Sequence, residues 1–490
     1  MILAGLDIGT TGAKITLFKD TTFLDSFYTK YDYEEEEDIN LIDVNKIFEA
    51  ILKMLKEVFS KYNSIDALGV TSFGETFVLL DKGDHILMNS YLYTSKEGFK
   101  EAHTIERKLT KRRLGYISGQ IGDNMFSLPK LLYIKNNNKK IYKQIDKIML
   151  IEDYIVYKLT KKRAIDYSLA CRTLAFDINK KEFSDAILNE FNIKKELWSK
   201  PVKSGTFVGY LLDEYQKVFN LSKKVKIYCI SHDQVSNTLG SGILKPYDAV
   251  DGNGTCECIS VCYKKEDIKP FLYNYGYGVI PYLYNDLYLS YILNYSGGSL
   301  IDYVLKTYFP KDLEKYKENI YEFIELNLKD EISDVLVLPY FLGNLTPYKD
   351  KKIKGAILNL SLDTTKFDIY KATLESLCFE MKLNLDIFEE NGIKINNLYA
   401  SGGSSVNEYY LQLKADIFNK DIIQLENKDA GTLGCLILLG KEEGLFSSYE
   451  EGIKKIVAIR KVFHPNRKNF EAYKEKYFRY KKIYKCIRKV

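Results

Sequence analysis

The sequence has no long apolar segment, because no stretch of about 18 uncharged apolar residues occurs in its 490 residues. A membrane span is therefore not expected. The N-terminus also lacks a basic stretch, and Asp7 falls inside the first apolar run, so these residues indicate a buried strand rather than a signal peptide. Together the two absences predict a cytoplasmic protein without a membrane partner.

Cysteine pairs at metal-binding spacing are also missing. The eight cysteines are scattered, which is typical of reduced thiols in the cytosol. The group Cys256, Cys258 and Cys262 has no CxxC pair and no nearby histidine, so no zinc site is expected there. A large excess of one charge is absent too, since 71 basic and 66 acidic residues give a net charge of only +5. The charge balance thus gives no reason to expect a nucleic-acid partner.

The chain is too long for one compact core, so at least two domains are expected. Residues 3–18 read as two strands joined by a tight turn, and a similar strand–turn–strand pattern restarts near residue 248. Strands followed by alternating helices indicate an α/β fold. The repeated pattern suggests an internal duplication, and Gly242 to Tyr247 interrupts the pattern between the two copies. We therefore divide the chain into residues 1–243 and 244–490.

Three amphipathic helices stand out from their apolar spacing. The first follows Asp43 as a candidate N-cap, and the second covers residues 367–390 and ends at Gly392. The third lies in the basic tail from Arg467 onward, where aromatic residues recur every three or four positions. That spacing predicts a packed C-terminal helix with a solvated basic face.

The first turn, within residues 7–14, has the composition of a phosphate-binding turn. Glycines at positions 9 and 12 allow close approach of an anion to the backbone N–H groups. Thr10 and Thr11 add hydroxyl donors, and Asp7 could hold a hydrated Mg²⁺. The spacing matches neither a Walker A loop nor a GxGxxG turn. Taken alone, such a hairpin is more often a simple turn.

Two further turns fit the same chemistry. Gly254 and Thr255 follow a strand in the second half and resemble the other half of a phosphate clamp. Gly402 and Gly403 lie between a strand and a helix, a geometry suited to an adenine–ribose pocket with Asn407 nearby. Each could be an ordinary loop, but three such turns in both halves indicate nucleotide binding.

Asp233 follows the predicted strand 225–230 and is a candidate general base. A carboxylate at a strand end could accept the proton of an attacking hydroxyl group. The alternative is that Asp233 caps the following helix, and the phosphate turns favour the catalytic interpretation. If the segment is extended, His232 should point away from Asp233.

Together these motifs resemble the FGGY carbohydrate kinase family over nearly the whole chain. Residues 7–11 resemble its first phosphate motif and Gly254–Thr255 its second. Gly402 to Ser404, with Asn407 and residues 411–416, is similar to its adenosine motif. Further signature-like stretches are residues 125–131 (with Tyr133 where Trp is usual), 153–155, 166–168, 172–173 and 176–177.

The resemblance implies an α/β fold of two actin-like (ribonuclease H-like) lobes with a catalytic cleft between them. It implies a sugar-binding lobe at 1–243, an ATP-binding lobe at 244–490, ATP and Mg²⁺ as cofactors, and Asp233 as the base. It also implies closure of the cleft when ligands bind. A homodimer is left open.

The substrate segment departs from the family patterns. Residues 72–76 keep the glutamate of the glycerol-kinase type, Glu75, followed by Thr76, but lack its arginine; residues 93–97 are also altered. We expect Glu75, Thr76 and Asp233 to contact the substrate. The leading interpretation is phosphorylation of a ketose such as xylulose. Glycerol or another polyol is the alternative substrate, and an actin- or Hsp70-like ATPase or a sugar-sensing regulator is the alternative class.

Overall fold

The structure is a computed structural model that describes residues 1–31, 40–62, 64–284, 286–329, 331–427 and 429–488. Among these residues, no helix combines the length and the apolar character that a membrane crossing requires.

The strands, in chain order, are β1 (Ile2–Ile8), β2 (Gly12–Lys19), β3 (Thr22–Lys30), β4 (Leu41–Ile42), β5 (Ala67–Ser72), β6 (Phe77–Leu80), β7 (Ser90–Tyr91), β8 (Lys147–Leu150), β9 (Ala164–Asp166), β10 (Phe176–Asp177), β11 (Glu182–Phe183), β12 (Lys200–Val202), β13 (Thr206–Tyr210), β14 (Lys226–His232), β15 (Ala249–Asn253), β16 (Glu257–Lys264), β17 (Ile280–Pro281), β18 (Leu287–Asn294), β19 (Leu336–Leu338), β20 (Ala356–Leu358), β21 (Leu398–Ser401), β22 (Ile422–Leu425) and β23 (Ile459–Phe463).

The α-helices are α1 (Val44–Lys61), α2 (Phe99–Leu109), α3 (Lys111–Ser118), α4 (Ser127–Asn137), α5 (Lys139–Gln144), α6 (Ile151–Thr160), α7 (Tyr167–Cys171), α8 (Asp185–Leu188), α9 (Asp213–Val218), α10 (Asp233–Gly240), α11 (Pro270–Asn274), α12 (Gly297–Tyr308), α13 (Pro310–Tyr316), α14 (Ile320–Glu325), α15 (Lys366–Glu390), α16 (Glu408–Phe418), α17 (Ala430–Glu442), α18 (Tyr449–Ile456) and α19 (Arg467–Ile487).

The chain forms two compact units, each assembled from three segments. The first unit contains residues 1–244, 278–289 and 430–457, and the second contains residues 245–277, 290–429 and 458–490. The assignment of sugar binding to residues 1–243 and of ATP binding to residues 244–490 stays a prediction.

The sheet of the first unit has the strand order β13-β14-β5-β1-β2-β3. Alternate residues of β1 face opposite sides, as the pleat requires. Ala4, Leu6 and Ile8 join a core that includes residues of α1 and α6, whereas Leu3 packs with residues of α17. A Cβ atom at Gly5 would lie 2.9 Å from Cβ of Cys435, so this glycine allows α17 to approach the sheet closely. Helices on both faces explain why every residue of β5 is buried.

Three strands of this sheet run parallel and end together. Ile8 of β1 and His232 of β14 both pair with Ser72 of β5. The Thr71 hydroxyl donates a hydrogen bond to the carbonyl oxygen of Ser231 at 2.6 Å, which ties two of these strand ends. The carboxyl ends of parallel strands therefore gather residues that are far apart in sequence at one edge of the first sheet.

The second unit repeats this arrangement. Its strands follow the order β16-β15-β21-β22-β23, with β18 beside β16. Strand β15 pairs antiparallel with β16 and parallel with β21, just as β1 pairs with β2 and β5. The strand–turn–strand pattern that the sequence predicts near residue 248 is therefore present.

The three helices predicted from the sequence are present, although α15 is buried on all sides from Ile369 to Met381 rather than amphipathic there. Helix α1 follows Asp43, whose side chain accepts the Asn45 N–H at 2.9 Å. Helix α15 ends just before Gly392, which has a left-handed φ of 92°. Helix α19 buries Tyr473, Tyr480 and Tyr484 on one stripe.

Candidate active site

Asp233 lies at the junction between β14 and α10 in the first unit. Its Oδ1 atom accepts the backbone N–H of Gln234 at 2.6 Å, and Nε2 of His232 lies 3.1 Å from the same oxygen. The side chain is 30% exposed, so the carboxylate is held in place while part of it stays accessible. The N-cap residue of α10 is His232 rather than Asp233, which weakens the interpretation of Asp233 as a helix cap.

The expectation that His232 points away from Asp233 is wrong. Its backbone N–H donates to Oγ of Ser168 at 2.9 Å, and this contact anchors the residue at the end of β14. Burial, together with the positive charge of Arg172, lowers the pKa of His232 well below its usual range. The imidazole is therefore neutral, and a neutral ring that carries its proton on Nε2 can donate it to the Asp233 carboxylate.

The electrostatic surroundings of Asp233 disfavour its charged form. Burial contributes most, and the negative charges of Asp7 and Glu75 add to it, raising the pKa of Asp233 to about 8. The hydrogen bond from Gln234 and the positive charge of Arg172 act in the opposite direction. A carboxyl group with a pKa near the working pH is well matched to general-base chemistry.

Glu75 follows β5 and forms a buried ion pair with Arg172. The two side chains are only 6% and 5% exposed, and Glu75 adopts a left-handed φ of 64°, which is rare for a residue other than glycine. Its carbonyl oxygen accepts a hydrogen bond from Oγ of Ser127 at 2.6 Å. Thr76 is fully buried. Glu75 therefore has a fixed position beside the end of β5.

Sequence reasoning missed the role of Arg172. The segment 72–76 lacks an arginine, and a residue about 100 positions away supplies one. A Cβ atom at Gly74 would lie 3.2 Å from Cγ of Arg172 and 3.1 Å from Nε2 of His232. Glycine at this position thus leaves room for both side chains. Two features of the sequence could have pointed to this ion pair: Gly74, to which no role was assigned, and the Arg172-Thr173 stretch, which resembles a family signature.

The first phosphate-like turn is a tight hairpin between β1 and β2. The Gly9 N–H donates to the Gly12 carbonyl oxygen at 2.9 Å, so this donor is used within the turn. Thr10 is half-buried and Thr11 is exposed. Asp7 lies in β1 near the start of α17, where a Cβ atom at Gly431 would be 3.3 Å from Oδ2 of Asp7. The turn therefore offers hydroxyl donors beside a carboxylate.

Four of the predicted nucleotide residues line one cavity of about 600 Å³ in the second unit: Gly254, Thr255, Gly403 and Asn407. The Gly254 N–H donates to the Cys256 carbonyl oxygen at 3.0 Å. Gly402 has a φ of 84°, and a Cβ atom there would lie 2.7 Å from the Asn253 carbonyl oxygen. Gly402 is therefore required for the close approach of two backbone segments, whereas Gly403 has open space above its Cα atom.

Helix α12 covers the second turn. The N–H of Gly298 donates to the Gly254 carbonyl oxygen at 3.0 Å, and a Cβ atom at Gly298 would lie 2.5 Å from that oxygen. Gly298 also lines the cavity. Sequence reasoning missed this residue because the segment from 267 to 345 shows little regular periodicity.

A buried ion cluster lies behind the same turn. Lys414 of α16 pairs with Asp251 of β15 and, at 2.7 Å, with Glu257 of β16. Despite burial, the two carboxylates raise the pKa of Lys414, so it stays charged. The cluster connects α16 to both strands that flank the Gly254 turn.

Asn407 is the N-cap residue of α16. Its Oδ1 atom accepts the Tyr410 N–H at 2.7 Å, and its Nδ2 atom donates to Oε1 of Glu325 at 2.7 Å. Glu325, at the end of α14, also lines the cavity and was not found from the sequence. Nothing in its local pattern distinguishes it from the neighbouring surface glutamates.

Comparison with known families agrees with these features. The model of the FGGY family of carbohydrate kinases, N-terminal domain, matches residues 2–240, and that of the C-terminal domain matches residues 254–441. The two matches cover most of the chain, which therefore belongs to the FGGY family of carbohydrate kinases. The chain is a carbohydrate kinase, as the sequence predicts.

Individual relatives show how far the likeness extends. A xylulose kinase from Staphylococcus epidermidis is 27% identical over 99% of this chain and 96% of its own length. A glycerol kinase from Staphylococcus haemolyticus is 26% identical over 84% of this chain and 83% of its own length. The crystal structure of a ligand-bound xylulose kinase from Lactobacillus acidophilus has a TM-score of 0.91 at 22% identity, covering 99% of this chain and 98% of the other. The predicted α/β fold with two actin-like lobes is confirmed.

Proposed function

We propose that the protein transfers the γ-phosphoryl group of ATP to a hydroxyl group of a ketose, with xylulose as the leading candidate. The main support for this reaction is the position of Asp233. Its carboxylate is partly exposed, directly follows β14 and is within electrostatic reach of Glu75 and Arg172. The full-length likeness to a protein named xylulose kinase supports the ketose. Glycerol kinases match 84% and 94% of the chain, somewhat less than the 99% matched by this xylulose kinase, so glycerol is the second candidate.

Asp233 has two tasks in this mechanism. The carboxylate orients the attacking hydroxyl group by accepting its hydrogen bond, and it takes the proton late, as the new P–O bond forms. Phosphoryl transfer has a loose transition state, so positioning and charge stabilisation matter more than early proton removal. Nε2 of neutral His232 lies 3.1 Å from Oδ1 of Asp233 and can hold the carboxylate in place by donating a hydrogen bond to it.

The buried pair of Glu75 and Arg172 is a suitable partner for the other sugar hydroxyls. A fixed carboxylate accepts hydrogen bonds from hydroxyl groups, and a fixed guanidinium donates them. Because each side chain is held in place by the other, the pair can contact the sugar with little loss of side-chain conformational entropy on binding.

The cavity lined by Gly254, Thr255 and Gly403 in the second unit is our candidate for ATP. Thr10 and Thr11, in the first unit, are separate candidates for phosphate contacts. Asp7 is suited to a hydrated Mg²⁺, because its carboxylate is a hard oxygen ligand and Gly431 leaves space beside it. When bound, Mg²⁺ would neutralise negative charge on the phosphate oxygens.

The test is ADP release in the presence of ATP, Mg²⁺ and, in turn, xylulose, other ketoses, glycerol and gluconate. We expect xylulose to give the highest kcat/KM and ATP turnover to be negligible without an added sugar. Asp213→Asn, at an exposed carboxylate, is the control for the loss expected with Asp233→Asn. A highest kcat/KM for glycerol would refute the ketose assignment, and sugar-independent ATP turnover would refute the kinase mechanism.

A further inference from the structure

The cavity of the second unit combines an apolar wall with a polar corner. Ile301, Tyr370 and Leu374 line it, and such side chains suit the faces of a planar base. Asn407 and Glu325 form the polar corner, joined by the hydrogen bond of 2.7 Å between them. This inference rests on the proposed function, because it takes the cavity to be the nucleotide site.

The orientation of the Asn407 amide is fixed by two different partners. The Tyr410 N–H requires an acceptor and therefore Oδ1, and the Glu325 carboxylate requires a donor and therefore Nδ2. An amide NH₂ group has two hydrogens. One is donated to Glu325, so Asn407 keeps one donor hydrogen for a ligand.

Glu325 supplies a carboxylate acceptor next to this donor. Its Oε1 atom accepts the Asn407 bond, and within the described ranges no other hydrogen bond to its carboxylate is found. Its side chain is half-buried and lines the cavity. Burial raises the pKa of this carboxyl group, whereas the Asn407 hydrogen bond lowers it. In its ionised form the group can only accept hydrogen bonds.

The corner thus presents one donor and one acceptor next to each other. Adenine offers the complementary pair on one edge, an N6 amino donor beside the N7 acceptor. Hypoxanthine differs from adenine in having an oxygen at position 6. That oxygen is an acceptor, and it would face the carboxylate of Glu325 with no proton between them, which is unfavourable when both groups are partly buried.

We propose that Glu325, oriented by Asn407, selects adenine nucleotides by accepting a hydrogen bond from the N6 amino group of the base. Glu325 is then a specificity-determining residue of the nucleotide site.

The test compares Glu325→Gln with the unmodified protein in calorimetric binding of ADP, IDP and 2′-deoxy-ADP, without sugar. Glutamine can still accept the Asn407 bond through its carbonyl oxygen, so the fold should be kept, and thermal unfolding checks this. Its amide would place a donor where the carboxylate oxygen lies. We expect ADP to bind about 10-fold more weakly and the preference for ADP over IDP to fall at least 10-fold. Glu314→Gln, at an exposed carboxylate of α13 that does not line the cavity, should change neither value more than about 2-fold.

An unchanged preference for ADP over IDP in Glu325→Gln would overturn the proposal. A loss confined to nucleotides with a 2′-hydroxyl would overturn it too, because Glu325 would then contact the ribose. Binding of ADP without any sugar-dependent ATP turnover would refute the proposed kinase reaction while leaving this inference intact.

Discussion

Replacing Asp233 with asparagine tests whether this carboxylate is catalytic or structural. Asparagine keeps the size and can still accept a hydrogen bond from a hydroxyl group, but it cannot take up the proton. General-base assistance contributes about 10² to 10⁴ in rate, so we expect kcat to fall at least about 100-fold. Neither the KM for ATP nor the fold should change much, because Asp233 is not the N-cap of α10.

The raised pKa gives this prediction a pH dependence. The base acts only when ionised, and with a pKa of about 8 about one tenth of the carboxyl groups are ionised at pH 7 and about nine tenths at pH 9. In the unmodified enzyme, kcat/KM for the sugar should therefore rise about 10-fold between these pH values at saturating ATP. His232→Ala removes a potential donor to the carboxylate, which should move this rise to higher pH.

The raised pKa of Asp233 also predicts how Asp233→Asn changes the stability of the fold. A carboxyl group whose folded pKa lies above its unfolded value of 3.8 stabilises the fold most below pH 3.8, and this contribution is lost as the pH rises towards 8. The ionised carboxylate thus opposes folding at pH 8, so Asp233→Asn should leave Tm unchanged or raise it. The assays are ADP release across pH 6–9.5 and thermal unfolding at pH 8. Near-normal kcat together with a lower Tm would show that Asp233 is structural and would refute the mechanism.

Two further substitutions test the neighbouring contacts. Glu75→Gln leaves Arg172 buried without its counter-ion, which should cost about 3 kcal/mol or more of stability and lower Tm by at least about 5 °C. It should also raise the KM for sugar far more than the KM for ATP. Adding Arg172→Met to this variant should restore Tm but not the sugar KM, and an unchanged sugar KM in Glu75→Gln would remove Glu75 from the site. Gly298→Ala would place a methyl group 2.5 Å from the Gly254 carbonyl oxygen, so steady-state kinetics should show the KM for ATP rising about 10-fold. Gly209→Ala, whose Cβ would meet only contacts of 3.4 Å or more, is its control, and equal ATP KM values for the two variants would contradict the role of α12.

The fold could be predicted from the sequence because its signals are local. The apolar spacing of α1 and α15 and the two strand–turn–strand repeats depend on residues within one element or one hairpin. The order in which β14, β5 and β1 lie side by side depends on long-range packing. Periodicity could not predict this strand order. Nor could it predict that α17, more than 350 residues further along the chain, packs on β1 and β5.

The polar contacts of the first unit were less predictable for the same reason. The sequence shows Glu75 without an arginine neighbour, and the partner Arg172 arrives from the end of α7. His232 was expected to point away because an extended chain alternates its side chains. Instead α10 begins directly after His232, and the change of backbone direction brings its ring to Asp233.

Asn407 shows why a motif residue needs its partners before a role can be assigned. A helix cap and a ligand contact both call for a short polar side chain, so the sequence pattern fits either role equally well. The structure separates the two contacts by atom: Oδ1 serves the helix by accepting the Tyr410 N–H, and Nδ2 carries the two amide hydrogens. Since one of those hydrogens is donated to Glu325, the base recognition that we propose at this corner involves both residues. Asn407→Asp should therefore keep α16 capped, yet weaken nucleotide binding, because it replaces the donor with a second carboxylate facing Glu325.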